Sequence, residues 1–143
     1  MGKTVKIPDR DVRSVFEKLN AEYPDHKTEL TYDGPFQLLV AVILSAQCTD
    51  ARVNQTTPAL FARFPTAERL ARAAIPEVES LVKSCGFYRM KAKAIVTAAN
   101  DIGERFSGKV PGTLEELITL RGVGRKTASV VLNQAFDVPA IAV

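Results

Sequence analysis

The stretch LRGVGRKTASVVL, residues 120–132, decides how the rest of the sequence is interpreted. Gly122 and Gly124 mark a tight turn, and the run from Lys126 to Leu132 is typical of a helix. Lys126 therefore falls in the first helical turn, where the positive end of the helix dipole disfavours a cation. Arg125 beside it adds a second unfavourable charge, so the placement suggests a function.

A Gly-x-Gly turn between two helices offers a binding site for an anion. It leaves the backbone N–H groups of Gly122, of Gly124 and of the next helix start facing outward, where a phosphodiester fits them. A plain αα-corner that needs two glycines is the alternative. Arg125 and Lys126, on the most basic part of the chain, favour the anion site.

Helical signals continue along almost the whole chain. First-turn prolines, caps at Asp50 and Thr66, and a capping box from Thr113 to Glu116 mark the helix starts. We predict helices at about 8–20, 35–47, 50–55, 58–64, 67–74, 76–84, 88–106, 114–120 and from 126 onward. No stretch alternates with period 2, so the chain is predicted to be all-α, with nine or ten short helices and the apolar helix 35–47 at its centre.

The charge is unevenly distributed along the 143 residues, whose formal net charge is +3. Residues 83–126 hold nine basic and four acidic side chains, a net charge of +5. This segment suggests a surface that faces a polyanion, although a solvated helix face has the same composition.

Several function classes are excluded by the rare residue types. Cys48 and Cys85 have neither metal-site nor disulfide spacing, and we expect two buried thiols. The single histidine, His26, excludes Ser–His and Cys–His pairs unless it takes part itself. The longest apolar run, residues 36–46, is too short to cross a bilayer, and no signal peptide is recognisable, so we expect a soluble, intracellular protein.

Three separated stretches resemble one known family. They are LLVAVILSAQCTDARVN at 38–54, GFYRMKAKAI at 86–95 and LRGVGRKTASVVLNQAFDVPAIAV at 120–143. In order and spacing they are similar to the endonuclease III family of helix-hairpin-helix base-excision DNA glycosylases, over about residues 9–143. The resemblance implies a six-helix barrel domain at 25–136 that includes a helix-hairpin-helix at 113–134. Residues 1–24 and 137–143 would belong to a second, iron–sulfur domain that is largely missing.

The resemblance also implies an activity, that of a DNA glycosylase and abasic-site (AP) lyase acting on oxidised pyrimidines in double-stranded DNA. Lys126 takes the position of the family's nucleophile, which attacks C1′ of the damaged nucleotide and forms a Schiff base. Because an amine must be neutral to attack, the helix dipole, burial and neighbouring cations would all help at this position. The imine then permits β-elimination and strand cleavage.

Other site residues follow from the same resemblance. Gln47 matches the residue that fills the gap left by a flipped nucleotide, and Phe87 stands where the family often has a leucine wedge. Ser45 and Asp50 match the lesion pocket, although Asp50 reads equally well as a helix N-cap. The DNA backbone would be bound by Arg121 (in place of the family's proline), Gly122, Val123, Gly124 and Arg125.

The sequence also departs from the family pattern. In the family an aspartate, the second catalytic residue, follows the stretch corresponding to Ala140–Val143, and four cysteine ligands of a [4Fe–4S] cluster come later. Asp137 occupies a different position and is no substitute. We therefore expect the N-terminal part of a larger enzyme, with impaired activity, no metal or cofactor of its own, and an uncovered apolar side on helix 9–20.

Three alternatives remain at this point. The chain could be a non-catalytic DNA-binding fragment or a plain helical interaction domain. Within the family, the adenine glycosylases lack a lysine at the position of Lys126, which favours the lyase-competent branch. We expect a monomer without membrane contact, in the cytoplasm or associated with the nucleoid. The preferred damaged bases cannot be read from the sequence.

Overall fold

The computed structural model describes residues 29–136, and within this range it is all-helical, without a strand. Seven α-helices and one 3₁₀ helix follow in order: α1 Gly34–Leu44, α2 Asp50–Arg63, α3 Ala67–Ala71, α4 Ile75–Val82, the 3₁₀ helix Lys83–Cys85, α5 Tyr88–Arg105, α6 Leu114–Leu117 and α7 Arg125–Ala135. The predicted all-α fold is confirmed. The predicted helix 8–20, His26 and residues 137–143 lie outside the described range.

Helix α1 lies at the centre of the core, as its apolar sequence predicts. Most of its residues are buried: Leu38, Leu39, Val40, Ala41, Ile43 and Leu44. It packs mainly against α7, while α3 and α4 pack against α5, the longest helix. No helix in the described range is long and apolar enough to cross a membrane.

Two of the predicted helix starts are confirmed by their caps. The Thr66 hydroxyl accepts a hydrogen bond from the Arg69 backbone N–H at 3.2 Å. The Thr113 hydroxyl accepts from the Glu116 N–H at 3.3 Å and donates to the Glu116 carboxylate at 3.0 Å. These bonds satisfy donors that a helix start leaves open, so the helix that leads into the Gly-x-Gly turn begins where the capping box predicts.

The two helices predicted at 50–55 and 58–64 are a single helix, α2, with Pro58 inside it. Proline removes one hydrogen-bond donor, but α2 buries Val53 before Pro58 and Leu60 after it, and this common buried face holds the helix together. The N-cap is Thr49, whose hydroxyl accepts from the Arg52 N–H at 3.1 Å. The interpretation of Asp50 as the N-cap is therefore wrong.

Four predicted helix ends are also corrected. Helix α1 ends at Leu44 and not at 47, α3 ends at Ala71 and not at 74, α4 gives way to the 3₁₀ helix after Val82, and α6 ends at Leu117 and not at 120. In each case the last predicted turn is a tighter turn or a loop, which places the following residues outside the helix.

Candidate nucleic-acid interface

Gly122 holds the turn between α6 and α7 against the rest of the protein. Its φ of +80° lies in the left-handed region, and a Cβ there would stand 3.0 Å from the Cβ of Ala94 in α5. The side chain of Ile43 in α1 lies 3.8 Å from the same position. Glycine is thus needed for both conformation and space, and the turn lies directly on α1 and α5.

The start of α7 is left without internal partners. Its N-cap is Gly124, which has extended backbone angles and no side chain to cap the helix, and the first turn contains no acidic residue. Among residues 29–136, the N–H groups of Gly122, Gly124, Arg125 and Lys126 have no hydrogen-bond acceptor. Open donors at and before the positive end of a helix dipole are suited to binding an anion, and anion binding at this turn stays a prediction of the sequence.

Three cations surround these donors. Arg121, Arg125 and Lys126 are all exposed. The ammonium group of Lys126 has neither an ion-pair nor a hydrogen-bond partner within residues 29–136. The expectation that Lys126 is buried is wrong, because the first turn of α7 faces solvent. The amine is open to a ligand.

Val123 behaves differently from its neighbours in the turn. Its side chain is only 6% exposed, and its N–H donates to the Leu120 carbonyl at 3.2 Å. Neither its side chain nor its N–H is free for a phosphate. Val123 therefore stabilises the turn, and the open donors belong to the residues on either side of it.

Gln47 and Phe87 share an unusual backbone conformation. Their φ values are +55° and +47°, and the only other residue with positive φ in the described range, glycines apart, is Ser107. A left-handed conformation costs a residue with a side chain about 1–2 kcal/mol. Because both side chains are exposed and neither position is a glycine, the two predicted DNA-inserting residues are held in strained turns that project them outward.

The start of α5 carries an exposed apolar pair. Phe87, its N-cap, is 60% exposed, and Met90 in the first turn is 72% exposed. Within the described range, Ile118 is the one other large apolar residue that is exposed. Exposed apolar side chains that stand together are typical of a binding surface, and an apolar wedge is what opening a base stack requires.

The hairpin and the two strained turns belong to neighbouring parts of the structure. Gly122 lies against Ile43, four residues before Gln47, and against Ala94 in the helix that begins after Phe87. The fold therefore brings the open donors, the exposed cations and the two left-handed residues onto adjoining elements. This grouping is the candidate nucleic-acid interface.

The predicted pocket residues have structural partners of their own. The Ser45 hydroxyl donates to the Val42 carbonyl at 2.7 Å and closes the end of α1. The Asp50 carboxylate accepts from the Glu29 N–H at 3.2 Å. Both residues are half-buried beside the Gln47 turn, and each has a structural hydrogen bond to the backbone.

One residue at this interface was missed by the sequence reasoning. Lys91 in α5 is only 6% exposed, and its ammonium group donates to the backbone carbonyls of Leu44 at 2.8 Å and Cys85 at 2.7 Å. The signal was available, because Lys91 extends the buried face formed by Ile95 and Ile102 at helical spacing.

The two cysteines lie inside the protein as free thiols. Cys85 is buried as expected and its thiol lies 3.6 Å from the Thr56 hydroxyl, whereas Cys48 is only half-buried. Burial and then the Cys85 thiol raise the pKa of the Cys48 thiol, against the lowering influence of Lys91 and Arg52. A protonated thiol is a poor nucleophile. No group of three or more metal-binding side chains occurs within residues 29–136.

Comparison with known proteins agrees with this geometry. The family model described as HhH-GPD superfamily base excision DNA repair protein matches residues 40–138. Endonuclease III of Synechocystis is 56% identical over 118 residues, which are 82% of this chain and 54% of that protein.

Two solved structures share the fold of the chain. A non-covalent endonuclease III–DNA complex is 42% identical with a TM-score of 0.81, over 96% of this chain and 64% of that one. A trapped covalent intermediate of endonuclease III with DNA is 40% identical with a TM-score of 0.80, over 93% and 62% respectively. The chain thus spans between 54% and 64% of the length of these three proteins.

Proposed function

The chain belongs to the HhH-GPD superfamily of base excision DNA repair proteins. From this membership and the site geometry, we propose that it acts as a DNA glycosylase with AP lyase activity. The substrate class is double-stranded DNA that contains oxidised pyrimidines or abasic sites. The protein acts as a monomer inside the cell, in contact with DNA and not with a membrane. The observation that carries the proposal is the exposed amine of Lys126 at the start of α7, which has no partner among residues 29–136.

The hairpin binds the strand through its phosphates. The open N–H groups at Gly122, Gly124 and the first turn of α7 donate to phosphate oxygens, and Arg121 and Arg125 add charge. Gly124 has extended angles, and a Cβ on it would meet nothing within 4 Å. The protein itself does not require a glycine there, which supports a role in letting the DNA backbone come close.

Lys126 then acts as the nucleophile. After losing a proton, its amine attacks C1′ of the damaged nucleotide, the C1′–N bond breaks, and the base leaves with that bond's electron pair. The attached nitrogen loses a proton, the C1′–O4′ bond of the sugar ring breaks, and O4′ takes up a proton. The covalent product is then a protonated imine, which makes the C2′ proton acidic. Loss of that proton expels the 3′ phosphate by β-elimination and cuts the strand.

Flipping the damaged nucleotide requires residues that replace it in the stack. Gln47 fills the vacated position and Phe87 inserts from the other side, assisted by its exposure at the start of α5. Extruding a base costs a few kcal/mol, and side chains already held outward offset part of that cost. Ser45 and Asp50 would line the pocket that receives the base, beside the Gln47 turn.

The iron–sulfur cluster of the resembled family does not fit the residues of this chain. Such a cluster takes four thiolate ligands. The chain has two cysteines, and the thiol of Cys85 lies in the core against the Thr56 hydroxyl. No step of the proposed reaction passes through a cofactor, and we propose that residues 1–143 themselves bind none.

Borohydride reduction tests the proposal directly. It converts an imine between protein and DNA into a stable bond, so the chain mixed with abasic DNA should yield a covalent complex visible on a denaturing gel. Lys126→Ala should abolish the complex and Lys93→Ala, at an exposed lysine of α5, should leave it.

The possible outcomes separate the proposal from its alternatives. Trapping that survives in Lys126→Ala would refute the role of Lys126. Tight binding of abasic DNA without any trapping would favour the non-catalytic DNA-binding fragment. Absence of DNA binding even at low salt, where phosphate contacts are strongest, would favour a plain helical interaction domain.

A further inference from the structure

Lys91 is a buried cation with an unusual set of partners. Its side chain is 6% exposed, and its ammonium group donates hydrogen bonds to two backbone carbonyls, of Leu44 at 2.8 Å and of Cys85 at 2.7 Å. No carboxylate of the described range forms an ion pair with it. A charge buried without a counterion is costly, so its position calls for a reason.

The two carbonyls occupy equivalent places in the fold. Leu44 is the last residue of α1, and Cys85 is the last residue of the 3₁₀ helix. Carbonyls at the end of a helix lack partners within it, and a cation there also meets the negative end of the helix dipole. One ammonium group therefore closes the ends of two helices at once and joins them.

Each of these helix ends leads directly into one of the strained turns. Gln47 follows Leu44 by three residues, and Phe87 follows Cys85 by two, and both have positive φ. The backbone N–H of Lys91 also donates to the Phe87 carbonyl at 3.0 Å. The side chain of Lys91 is thus bonded to the base of both turns, while its backbone bond to Phe87 is an ordinary i→i−4 bond of α5 that does not depend on the side chain.

We infer that Lys91 is a positioning residue for damage recognition, which sets the Gln47 and Phe87 turns in register with each other before DNA binds. The inference rests on the proposed function, in which these two side chains enter the base stack from opposite sides. The two side chains must both reach the gap that the flipped nucleotide leaves in the base stack, so the backbones that carry them need a fixed relative position. A single buried cation bonded to both backbones supplies it, since moving either turn alone would break one of its hydrogen bonds.

The inference makes Lys91 important for discrimination and not for DNA affinity in general. Undamaged duplex is bound through phosphates at the hairpin, which Lys91 does not contact. Damaged DNA is distinguished by insertion of Gln47 and Phe87. Loss of the anchor should therefore weaken binding to an abasic duplex and leave binding to undamaged duplex unchanged.

The experiment measures two dissociation constants for the 143-residue chain and its variants. One duplex carries a tetrahydrofuran abasic analogue, which cannot form an imine, and the other is the same duplex undamaged. The ratio of interest is the dissociation constant for the undamaged duplex divided by that for the abasic duplex. Lys91→Met keeps the length of the side chain and removes the donors, and it should reduce this ratio by about ten-fold. Lys91→Arg, which keeps a charged donor, should restore most of the ratio.

Two further variants separate positioning from general effects. Lys93→Met removes an exposed lysine of the same helix and should leave the ratio unchanged, because any effect of the lost charge falls on both complexes alike. In a Gln47→Ala/Phe87→Ala background, Lys91→Met should have no further effect on the ratio, because the side chains that it positions are gone. If Lys91→Met does not fold, Lys91→Gln, which keeps an uncharged NH₂ donor group, is judged by the same ratio.

The outcomes distinguish this inference from the function on which it rests. A parent chain that binds both duplexes equally would overturn damage recognition and the positioning role together. Two results would overturn the positioning role alone, provided that the parent chain discriminates between the duplexes. One is that Lys91→Met retains the full ratio of dissociation constants. The other is that Lys91→Met lowers the ratio further in the Gln47→Ala/Phe87→Ala background.

Discussion

Lys91 and Lys126 stand in the first turns of two helices, α5 and α7, and have opposite surroundings. Each belongs to the start of a helix, where the positive end of the dipole disfavours a cation, but the Lys91 ammonium group reaches the carbonyl ends of α1 and the 3₁₀ helix instead. Lys91 is buried and donates to two carbonyls, whereas Lys126 is exposed and has no partner for its ammonium group within the described range. The same residue type at the same kind of position is thus used in two ways.

The difference shows what a lysine can do at a helix start. Where the chain supplies carbonyl acceptors, the charge is fixed and becomes part of the structure. Where the described part of the chain supplies none, the amine remains open, next to backbone N–H donors that also lack acceptors there. An amine that must lose its proton and attack a sugar cannot be held by internal hydrogen bonds, so the absence of partners at Lys126 agrees with the chemistry we propose for it.

The largest expected effect is on stability, and it separates the two lysines. Lys91→Met leaves two buried carbonyls without a donor and should lower the free energy of unfolding by about 2–4 kcal/mol. Lys126→Met removes an exposed cation from a helix N-terminus and should leave the free energy of unfolding unchanged or raise it by up to about 0.5 kcal/mol. Urea denaturation followed by circular dichroism measures both.

The comparison fails if the two variants are equally stable. Lys91→Ala is a poorer test, because it also leaves a cavity and mixes a packing loss with the lost hydrogen bonds. A stable Lys91→Met would mean that water reaches the two carbonyls, and the description of Lys91 as a structural cation would then be wrong.

The sequence predicts one of these lysines far better than the other. Lys126 is recognisable because Gly122 and Gly124 fix the turn and the capping box at Thr113 fixes the preceding helix, all by short-range rules. The spacing of apolar residues in α5 predicts that Lys91 lies on its buried face. The sequence does not predict the hydrogen-bond partners of Lys91, because tertiary packing brings the Leu44 carbonyl to it across 47 positions of the chain.

The remaining errors have the same origin. Pro58 suggests a break in α2, yet burial on both sides of it keeps the helix continuous. The positive φ values of Gln47 and Phe87 follow no local preference, since neither residue type favours the left-handed region. In each case long-range packing overrides a local rule, and at Gln47 and Phe87 it does so at the interface.

The two glycines of the hairpin differ as the two lysines do: Gly122 is needed by the structure, and Gly124 is open to a ligand. The expected changes in the free energy of unfolding are smaller than for the lysines. Gly122→Ala should lower the free energy of unfolding by about 1–2 kcal/mol, because a left-handed φ is strained with a Cβ. The 3.0 Å approach to Ala94 adds to that loss. Gly124→Ala has space and an extended backbone, so its stability should be unchanged while its affinity for undamaged duplex falls.

Equal stability of Gly122→Ala and the parent would show that the turn can move away from α5. Equal DNA affinity of Gly124→Ala and the parent would show that the DNA backbone does not approach this glycine closely. Thermal unfolding and fluorescence anisotropy with a labelled duplex measure the two properties on the same samples.

The smallest expected effect is on the salt dependence of DNA binding, and it tests the open lysine alone. Each cation that neutralises a phosphate contributes about 0.9 to the slope of log K against log salt concentration. Lys126→Met should therefore reduce the slope for undamaged duplex by about 0.9, and Lys91→Met should leave it unchanged. A slope that falls in both variants would mean that Lys91 is reached by the phosphates after all, and a slope that falls in neither would place Lys126 away from them.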